Sequence, residues 1–451
     1  MKTKNSFISK QIYDVKTYGL RELFRKFFLL IKKLISIPIY IIAIVLCIII
    51  RLISPWIIIR VEKFPCNNFG DFVENASLYH CRKALNIDVP KKRYLDFVYI
   101  DPNFKIFNKQ LAKMWKRKSN FLPGYFLDPI NRVSKLIPGW QTHSIEALRT
   151  RRSRDVDNLI DKHQPLNFTH EEEIYGKKML NKFGLKDDDK FICLAIRDSG
   201  YQKKKISPRY RDWSYHNYRN QDINNYLLAS DELAKRGYYV FRMGVSVEKP
   251  LISNNPKIID YANSNLRSDF MDVYLGAKCS FCISSSFGFD QLPDFFGKPI
   301  VFSSIAPLGD MHSYREKDLY LAKHHVLKKE KKRLSLSEIF SQRVAFAYES
   351  RIYEENGVEL VENTSEEIKD LVIEMDEYLK FDKKLNFEDE ELQKSFRNLY
   401  TTNLKRFNQR PDSENELWHK QQEPGECAKL HGKVRCRYSS KFLRENKNWL
   451  R

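Results

Sequence analysis

The order of apolar runs and turn-forming segments predicts two successive α/β regions. A β-branched run, Trp56 to Val61, is followed by a turn, by a helix-like stretch from Phe72 to Leu85 and by a second strand, Tyr94 to Ile100. This order predicts parallel pairing, because a crossover helix returns the second strand in the direction of the first. Residues 103–165 contain turn signals and show no clear period.

A second alternation of strands and helices follows Thr169-His-Glu-Glu172, a capping box that opens a helix. The predicted strands are Phe191–Ile196, Tyr238–Met243, Ile258–Asp260, Cys279–Ile283 and Lys298–Ser303, and the predicted helices are Asn224–Arg236, Phe270–Ala277 and Phe289–Phe296. Such alternation is typical of a doubly wound sheet. Thr364-Ser-Glu-Glu367 opens one more amphipathic helix, and the charged tail beyond it shows a weak pattern.

These elements predict an α/β fold with two Rossmann-like domains facing a cleft. A chain of 451 residues exceeds the size at which one core usually stops growing. The predicted parts are a basic and hydrophobic N-terminal segment (1–55), an N-terminal α/β domain (56–165), a C-terminal α/β domain (166–380) and a charged tail that packs back (381–451).

The N-terminal segment carries a hydrophobic run, Leu34 to Ile50, without a charge. Its 17 residues fall at the lower limit for a spanning helix. Residues 1–33 hold nine Lys and Arg against Asp14 and Glu22, which fits an anionic membrane surface. Pro38 and Arg51 favour an in-plane or re-entrant anchor. We expect a membrane-associated helix with the two α/β domains facing the cytoplasm; the alternative is a buried helix of a soluble protein.

The net charge of +21 calls for an anionic partner. The basic runs outside the N-terminus are short and scattered, and no nucleic-acid-binding motif accompanies them, so we expect no nucleic acid. No Gly-x-Gly-x-x-Gly or phosphate-loop motif occurs, and we expect no cofactor.

Two patterns resemble metal sites and favour other interpretations. Cys279 and Cys282 have metal-like spacing, but they lie in a predicted buried strand without a second ligand pair. They are interpreted as thiols of a reducing compartment. Asp155-Val-Asp157 lies in a basic run without a preceding strand, and it is interpreted as a solvated charge pattern. We therefore expect no metal.

Polar residues with phosphate-binding chemistry follow the predicted strands of the C-terminal region. They are Arg197, Asp198, Arg242, Gly244, Arg267, Asp269, Ser284, Ser285, Ser286 and Gly288. Ligands of open parallel sheets bind at the carboxyl ends of strands. Arginine forks hold phosphate bidentately, and hydroxyls and N–H groups at a helix start bind its oxygens. Loop ion pairs and simple helix capping are the alternatives.

A polar cluster and a carboxylate complete the predicted site. The cluster lies in a segment without helical period and consists of His216, Tyr218, Arg219, Asn220 and Asp222. It suits either an active-site loop that binds an anionic substrate or a turn before a helix, with Asp222 as the cap. A general base is expected from the region after the first strand, where Asp71 and Glu74 are the best placed. The predicted catalytic residues are Asp71, Arg197 and His216.

Several segments carry a resemblance to a known family. They are LAIRDSGY (Leu194 to Tyr201), HNYRNQDINNY (His216 to Tyr226), RGYYVFRMG (Arg236 to Gly244), DYANSNLRSDFMDVYL (Asp260 to Leu275), SSSFG (Ser284 to Gly288) and NTSEEI (Asn363 to Ile368). Through them the chain after residue 56 resembles a family of uncharacterised bacterial glycosyltransferases. More distantly, Arg197 and the serine turn are similar to the donor half of fucosyltransferase-like GT-B enzymes. The histidine and paired arginine of those enzymes are not found in this chain.

The resemblance implies a GT-B-like fold and a metal-independent hexosyl- or deoxyhexosyl-transferase. The donor would be a nucleotide sugar, whose diphosphate Arg197 neutralises in such enzymes, and the acceptor a surface polysaccharide or a lipid-linked glycan. Two alternatives stay open. One is a membrane-associated polysaccharide-assembly protein that binds nucleotide sugar without turnover, and the other is an enzyme similar to a sugar-nucleotide epimerase.

Overall fold

The fold is taken from a computed structural model, which describes residues 19, 24, 26–28, 37–66, 69–149, 154–163, 166–200, 203, 214–381, 385–408 and 432–451. Two compact units form. Unit 1 consists of Met1–Phe64, Pro90–Phe104 and Ser119–Arg149, and unit 2 consists of Pro65–Val89, Lys105–Lys118 and Thr150–Arg451. Each unit consists of three separate segments of the chain, whereas each predicted domain is one continuous segment. Those boundaries stay a prediction.

Helices and strands alternate along much of the chain. The helices are α1 (residues 37–53), α2 (Phe69–Ala84), α3 (Lys109–Lys116), α4 (Gly124–Ser134), α5 (Glu146–Arg149), α6 (Leu159–Lys162), α7 (His170–Lys182), α8 (Leu227–Lys235), α9 (Asp269–Lys278), α10 (Gln291–Phe295), α11 (Leu336–Ser341), α12 (Ser350–Glu355), α13 (Ser365–Phe381), α14 (Phe387–Asn408) and α15 (Ser440–Glu445). The strands are β1 (Ile58–Lys63), β2 (Tyr94–Tyr99), β3 (Phe191–Ala195), β4 (Tyr239–Arg242), β5 (Ile258–Ile259), β6 (Cys282–Ser284), β7 (Ile300–Ile305), β8 (Leu319–Ala322), β9 (His324–Leu327), β10 (Lys332–Arg333), β11 (Val358–Val361) and β12 (Arg437–Tyr438).

Unit 1 is built on β1 and β2, which pair in parallel with Ile58 opposite Tyr94. The predicted parallel pairing is therefore confirmed. Its core joins α1 and α4 to the strands through Ala43, Cys47 and Ile130, among others. In the described residues the sheet of unit 1 has two strands, fewer than a Rossmann-like domain requires.

Unit 2 contains a seven-stranded parallel sheet in the order β12-β8-β7-β6-β3-β4-β5. The predicted α/β class with a large parallel sheet is thus confirmed. The chain runs from β3 outward to β5 and then returns to β6 beside β3. This return makes the β3/β6 boundary the topological switch point, where ligands of doubly wound sheets bind.

Two further parts of unit 2 were not predicted. An antiparallel sheet with the order β10-β9-β11 follows the large sheet, and β12 joins β8 at the sheet edge. The charged tail, expected from its weak pattern to be weakly ordered, contains α14, a 22-residue helix. It buries Phe396, Tyr400, Leu404 and Phe407, so that its apolar stripe docks although most of its residues are polar.

Helix α2 belongs to unit 2 through its packing. Phe69 stacks on Phe289, with ring centroids 5.9 Å apart, and the Trp115 indole of α3 donates to the Phe72 carbonyl at 3.0 Å. Gly70 and Gly288 approach closely, since a Cβ on Gly288 would lie 3.1 Å from the Gly70 nitrogen. The N-terminus of α2 therefore meets the turn after β6.

The N-terminal segment enters the structure mainly as α1. Within the described part of the chain, every helix is too short or too polar to cross a membrane. Most of the basic residues of the predicted anchor lie outside the described residues.

Candidate functional site

Two predicted strand ends meet at the switch point of the large sheet. The Arg197 backbone N–H, two residues past β3, donates to Ser285 Oγ at 2.7 Å, and the Ser285 N–H donates to the Ala195 carbonyl at 3.2 Å. These bonds extend the β3–β6 contact beyond the strands. Arg197 and the serine turn are thus brought together, as their strand-end positions predicted.

The Arg197 guanidinium is buried and is held by neutral acceptors. Its Nη1 donates to the His216 carbonyl at 3.1 Å and to Asn220 Oδ1. Burial, reinforced by the nearby Arg219 charge, lowers the pKa of Arg197 to about 10. Among the described residues, no carboxylate lies within ion-pair distance of its guanidinium. The positive charge of Arg197 is therefore only partly compensated.

Arg219 supplies a second cation at the same place. It ends the 3-10 turn Ser214–Arg219, and its Nη2 donates to the Ser286 carbonyl. The buried Nε has no hydrogen-bond partner among the described residues. Its charge also lies near enough to Asp290 to favour the ionised form of that carboxyl. Arg219 therefore keeps an unused donor beside Arg197 and the serine turn.

Lys323 is a third cation, and its role was not predicted from the sequence. It follows β8 directly and is buried, and its Nζ donates to the Asn220 carbonyl at 2.8 Å. Glu362 Oε1 lies 3.8 Å from Nζ. Burial lowers the pKa of Lys323 to about 8; the Glu362 charge opposes this shift and the Arg197 charge adds to it. The signal in the sequence was its position after the apolar run Leu319 to Ala322, which also ends at this edge of the sheet.

A cavity of about 470 Å³ opens beside these residues. Its lining includes Ile196, Asp198, Tyr218, Asn220, Gln221, Arg242, Lys323 and Glu362. Residues on both sides of Arg197 thus face the cavity, together with Lys323 from another strand end. The cavity is polar, and it lies at the carboxyl edge of the sheet within unit 2.

The predicted donor residue Arg242 lines the cavity but is paired to carboxylates. Its Nη2 donates to Asp198 Oδ2 at 3.2 Å and its Nη1 to Asp260 Oδ1 at 3.4 Å. Asp198 accepts in addition from the backbone N–H groups of Gly200 and Glu248, each at 2.9 Å. Arg242 and Asp198 therefore brace the loops after β3 and β4, and little of their charge is left for a ligand.

Gly244 allows the tight turn after β4. Its φ of 155° lies in a region that side chains rarely adopt, and a Cβ there would lie 2.6 Å from Val247 Cγ1. The structure thus gives this predicted residue a backbone role.

The serine turn is closed by a carboxylate of its own. Asp290 Oδ2 accepts from Ser284 Oγ at 2.9 Å and from the Phe287 N–H at 2.8 Å. Burial raises the pKa of Asp290 to about 7. The Ser286 N–H donates to Ser284 Oγ at 3.0 Å. These donors are occupied, so the geometry favours the capping alternative for Ser284, and the phosphate role of the turn stays a prediction.

Arg267 and Asp269 lie outside the lining of the cavity. Arg267 Nη2 donates to Asp272 Oδ2 at 2.8 Å. Asp269 Oδ2 accepts from the Lys109 N–H at 2.7 Å, and its carbonyl accepts from Asn108 Nδ2 at 2.9 Å. These bonds tie α9 to itself and to the start of α3. The contacts are those of structural residues.

The two other predicted catalytic residues are Asp71, which lies beside the serine turn, and His216, which contacts Arg197. Asp71 lies in the first turn of α2, next to the Gly70–Gly288 approach. His216 contributes its carbonyl to Arg197. Glu74, one turn further along α2, has a pKa held well above its ordinary value by burial; Arg154 opposes this shift and Asp71 adds to it. Two interacting carboxyls therefore stand at this end of α2.

The metal-like patterns have structural roles. Asp155 is buried and accepts from the N–H groups of Leu159 and Ile160 at 2.7 and 2.9 Å, which corrects its interpretation as a solvated charge. It caps α6 instead. Cys279 and Cys282 are buried free thiols, as predicted. Within the described ranges, no cluster of His, Cys, Asp and Glu could hold a metal ion.

Neither a protein-family profile nor a curated protein sequence matches the chain. Among solved structures, it is similar to the glycosyl transferase family 9 from Veillonella parvula (TM-score 0.29, 13% identity, 58% of this chain and 80% of that one). It is also similar to the ADP-heptose LPS heptosyltransferase II of E. coli (TM-score 0.28, 14% identity, 55% and 86%).

Proposed function

We propose that unit 2 binds the diphosphate of a nucleotide sugar, and that the chain is a metal-independent, GT-B-like glycosyltransferase. One observation carries the proposal. Arg197, Arg219 and Lys323 converge at the switch point of the sheet beside a polar cavity, and all three donate hydrogen bonds to carbonyl or amide oxygens. The family resemblance of the strand-end segments supports the same interpretation.

The electrostatics of the cluster favour an anionic ligand. Burial lowers the pKa of Arg197 and of Lys323, and a neighbouring positive charge adds to each shift. A diphosphate would reverse this unfavourable interaction and would use the free Arg219 Nε. The same groups would then supply what a bound metal ion supplies in other transferases, which is positive charge at the leaving group.

The chemistry of glycosyl transfer fits such a cluster. The acceptor hydroxyl oxygen bonds to the anomeric carbon as the bond from that carbon to the diphosphate oxygen breaks, and the acceptor proton passes to a base. Negative charge therefore grows on the diphosphate in the transition state. Cations fixed beforehand stabilise that charge without reorganisation. This would lower the barrier as well as bind the donor.

The proposed base is Asp71. It stands at the N-terminus of α2, where Gly70 meets Gly288 of the turn after β6. The Asp71 carboxylate therefore lies in the first turn of α2, close to the turn that follows β6. We propose a hexose or deoxyhexose donor and a surface-polysaccharide or lipid-linked acceptor from the resemblance.

Titration calorimetry with UDP-, GDP-, ADP-, CMP- and dTDP-sugars tests the proposal. We expect one nucleotide class to bind, and Arg197→Gln to weaken it by about tenfold to a hundredfold, since a charged hydrogen bond contributes roughly 1.5–3 kcal/mol. Lys235→Gln removes an exposed charge of α8 and serves as the matched control. Equal affinity of the two variants, or no binding of any nucleotide sugar, would refute the proposal.

Turnover decides between the enzyme and its alternatives. Release of nucleoside diphosphate in the presence of acceptor glycan, unchanged by EDTA, is the expected result. Binding without release indicates an assembly protein, and conversion of the sugar without release indicates an epimerase-like enzyme. A strict requirement for a divalent cation would contradict the metal-independent mechanism.

A further inference from the structure

Helix α1 carries an outward face that is wholly apolar. We define this face as the nine apolar residues between Ile37 and Leu52 that are 38–67% exposed. Ala43 and Cys47 lie on the opposite side of the helix, where they are 1% and 2% exposed and pack in the core of unit 1. Apart from Arg51, α1 is therefore apolar on both sides, and the described residues of the protein cover one of them.

The outward face is wider than a protein-packing stripe. At about 100° per residue, its members spread over roughly 200° of the helix circumference. The apolar stripe by which a surface helix packs on a protein core is typically about 100° wide. A surrounding apolar medium, in contrast, covers a wide arc without needing a shaped partner.

The residues packed against α1 determine which orientation the helix can take in an apolar medium such as a membrane. Cys47 Sγ donates to the Ile130 carbonyl at 3.4 Å, and Arg51 Nη1 donates to the Gly139 carbonyl at 3.2 Å, so α4 lies alongside α1. The same part of unit 1 carries the ion pairs Lys135–Glu62 and Arg132–Asp128. A spanning orientation would take these charges into hydrocarbon, which is costly. An in-plane orientation leaves them in water.

Exposed aromatic side chains lie next to α1. Trp56 follows the helix and is 75% exposed, and Tyr125 and Phe126 at the start of α4 are 57% and 55% exposed. Because Cys47 contacts Ile130 and Arg51 contacts Ser134, the two helices run in the same direction, and the start of α4 lies beside the first half of α1. Trp and Tyr favour the headgroup level of bilayers.

The outward face of α1 could be covered by a lipid bilayer or by a second copy of the chain, and the charge of the protein favours the bilayer. The 33 residues that precede the hydrophobic run hold nine Lys and Arg against two acidic residues, and the whole chain carries +21. Two copies would bring these charges together, whereas an anionic bilayer neutralises them. We infer that the outward face of α1 lies in the boundary between headgroups and acyl chains of an anionic membrane, with the helix axis parallel to the membrane plane.

Flotation of the full-length chain, synthesised in a cell-free system with preformed vesicles, tests this inference. The vesicles are phosphatidylcholine alone or mixed with phosphatidylglycerol. We expect flotation with the anionic vesicles, and at least a tenfold lower bound-to-free ratio for Ile41→Gln/Val45→Gln/Ile48→Gln, whose positions lie at the centre of the outward face. Ile174→Gln/Ile252→Gln/Leu379→Gln is the matched control, since it alters three exposed apolar residues of unit 2 and should float like the unchanged protein.

Two further measurements complete the test. Trypsin added outside the vesicles should cleave the bound chain on both flanks of α1; a flank protected until detergent is added means that the helix spans, and the inference fails. It fails also if both triple variants float equally. Light scattering without lipid is the second measurement: a dimer that the α1 triple variant alone disperses would show that a second copy covers the face. Equal thermal unfolding of the variants excludes misfolding as the cause of lost flotation.

Discussion

At the scale of single residues, the candidate site depends on which of its cations are paired with carboxylates. Arg242 is matched by Asp198 and Asp260, and Arg267 by Asp272, so these arginines stabilise loops and helix ends. Arg197 and Arg219 donate instead to carbonyl and amide oxygens. Sequence position identified all four arginines but could not separate them, because the carboxylates that pair with Arg242 are distant in the sequence and the one that pairs with Arg267 lies within a helix.

Lys323 should give the site a pH dependence of its own. Its pKa of about 8 means that the cation loses its proton as the pH rises from 7 to 9. Donor affinity should fall over this range, because the ligand is an anion. In Lys323→Met the affinity should be lower at pH 7 and nearly constant up to pH 9. Calorimetry at several pH values checks this; identical pH profiles for both proteins would contradict it.

Without a ligand, the contribution of Lys323 to the free energy of unfolding should change with pH in the opposite direction, rising as the pH rises. The folded-state pKa of Lys323 lies below the model-compound value of 10.5, so the unfolded chain binds more protons between about pH 8 and 10.5. Stability contributed by this lysine therefore rises with pH over that range. Urea unfolding of the unchanged protein and of Lys323→Met should diverge accordingly.

At the scale of elements, what the sequence could predict depended on regular patterning. The core strands β3, β4, β6 and β7 were predicted because each is a continuous apolar run closed by turn residues. Helix α14 was missed because its apolar positions are four, four and three residues apart within a mostly charged segment. The hydrogen bond from Ser284 to Asp290 could not be predicted either, because it depends on the conformation of the folded turn.

A substitution of Ser284 distinguishes its two possible roles, which are capping of the turn and binding of phosphate. If Ser284 caps the turn through Asp290, then Ser284→Ala should lower the free energy of unfolding by about 1–3 kcal/mol, because a buried carboxyl loses a donor. Nucleotide affinity should change less than twofold. Chemical denaturation and calorimetry measure the two effects. A large loss of affinity with unchanged stability would instead assign Ser284 to phosphate binding.

At the scale of the whole molecule, the large sheet is completed by chain segments far apart in sequence. β12 pairs with β8, and α14 packs its aromatic residues against this edge of unit 2: Phe396 lies 5.0 Å from Tyr438 and 6.3 Å from Trp449 between ring centroids. The C-terminal part is therefore integral to unit 2. The two-domain GT-B arrangement, and the place of unit 1 in it, stay proposals.

The C-terminal packing predicts a sharp contrast within α14. Phe396→Ala should lower the free energy of unfolding by about 3–5 kcal/mol, since Phe396 is fully buried. Phe387→Ala, at the start of the same helix, should cost less than about 0.5 kcal/mol because Phe387 is 80% exposed. Denaturant titration compares them. Similar values would mean that α14 does not dock as described.

The bond from Lys323 Nζ to the Asn220 carbonyl joins residues 103 positions apart. During synthesis, the chain therefore carries Arg197 and Arg219 for a long interval before the third cation is made, and β12, which borders β8, emerges later still. The three cations can therefore come together only after the chain has been synthesised beyond Lys323. A ligand that needs all three cations would therefore distinguish chains that contain Lys323 from shorter nascent chains.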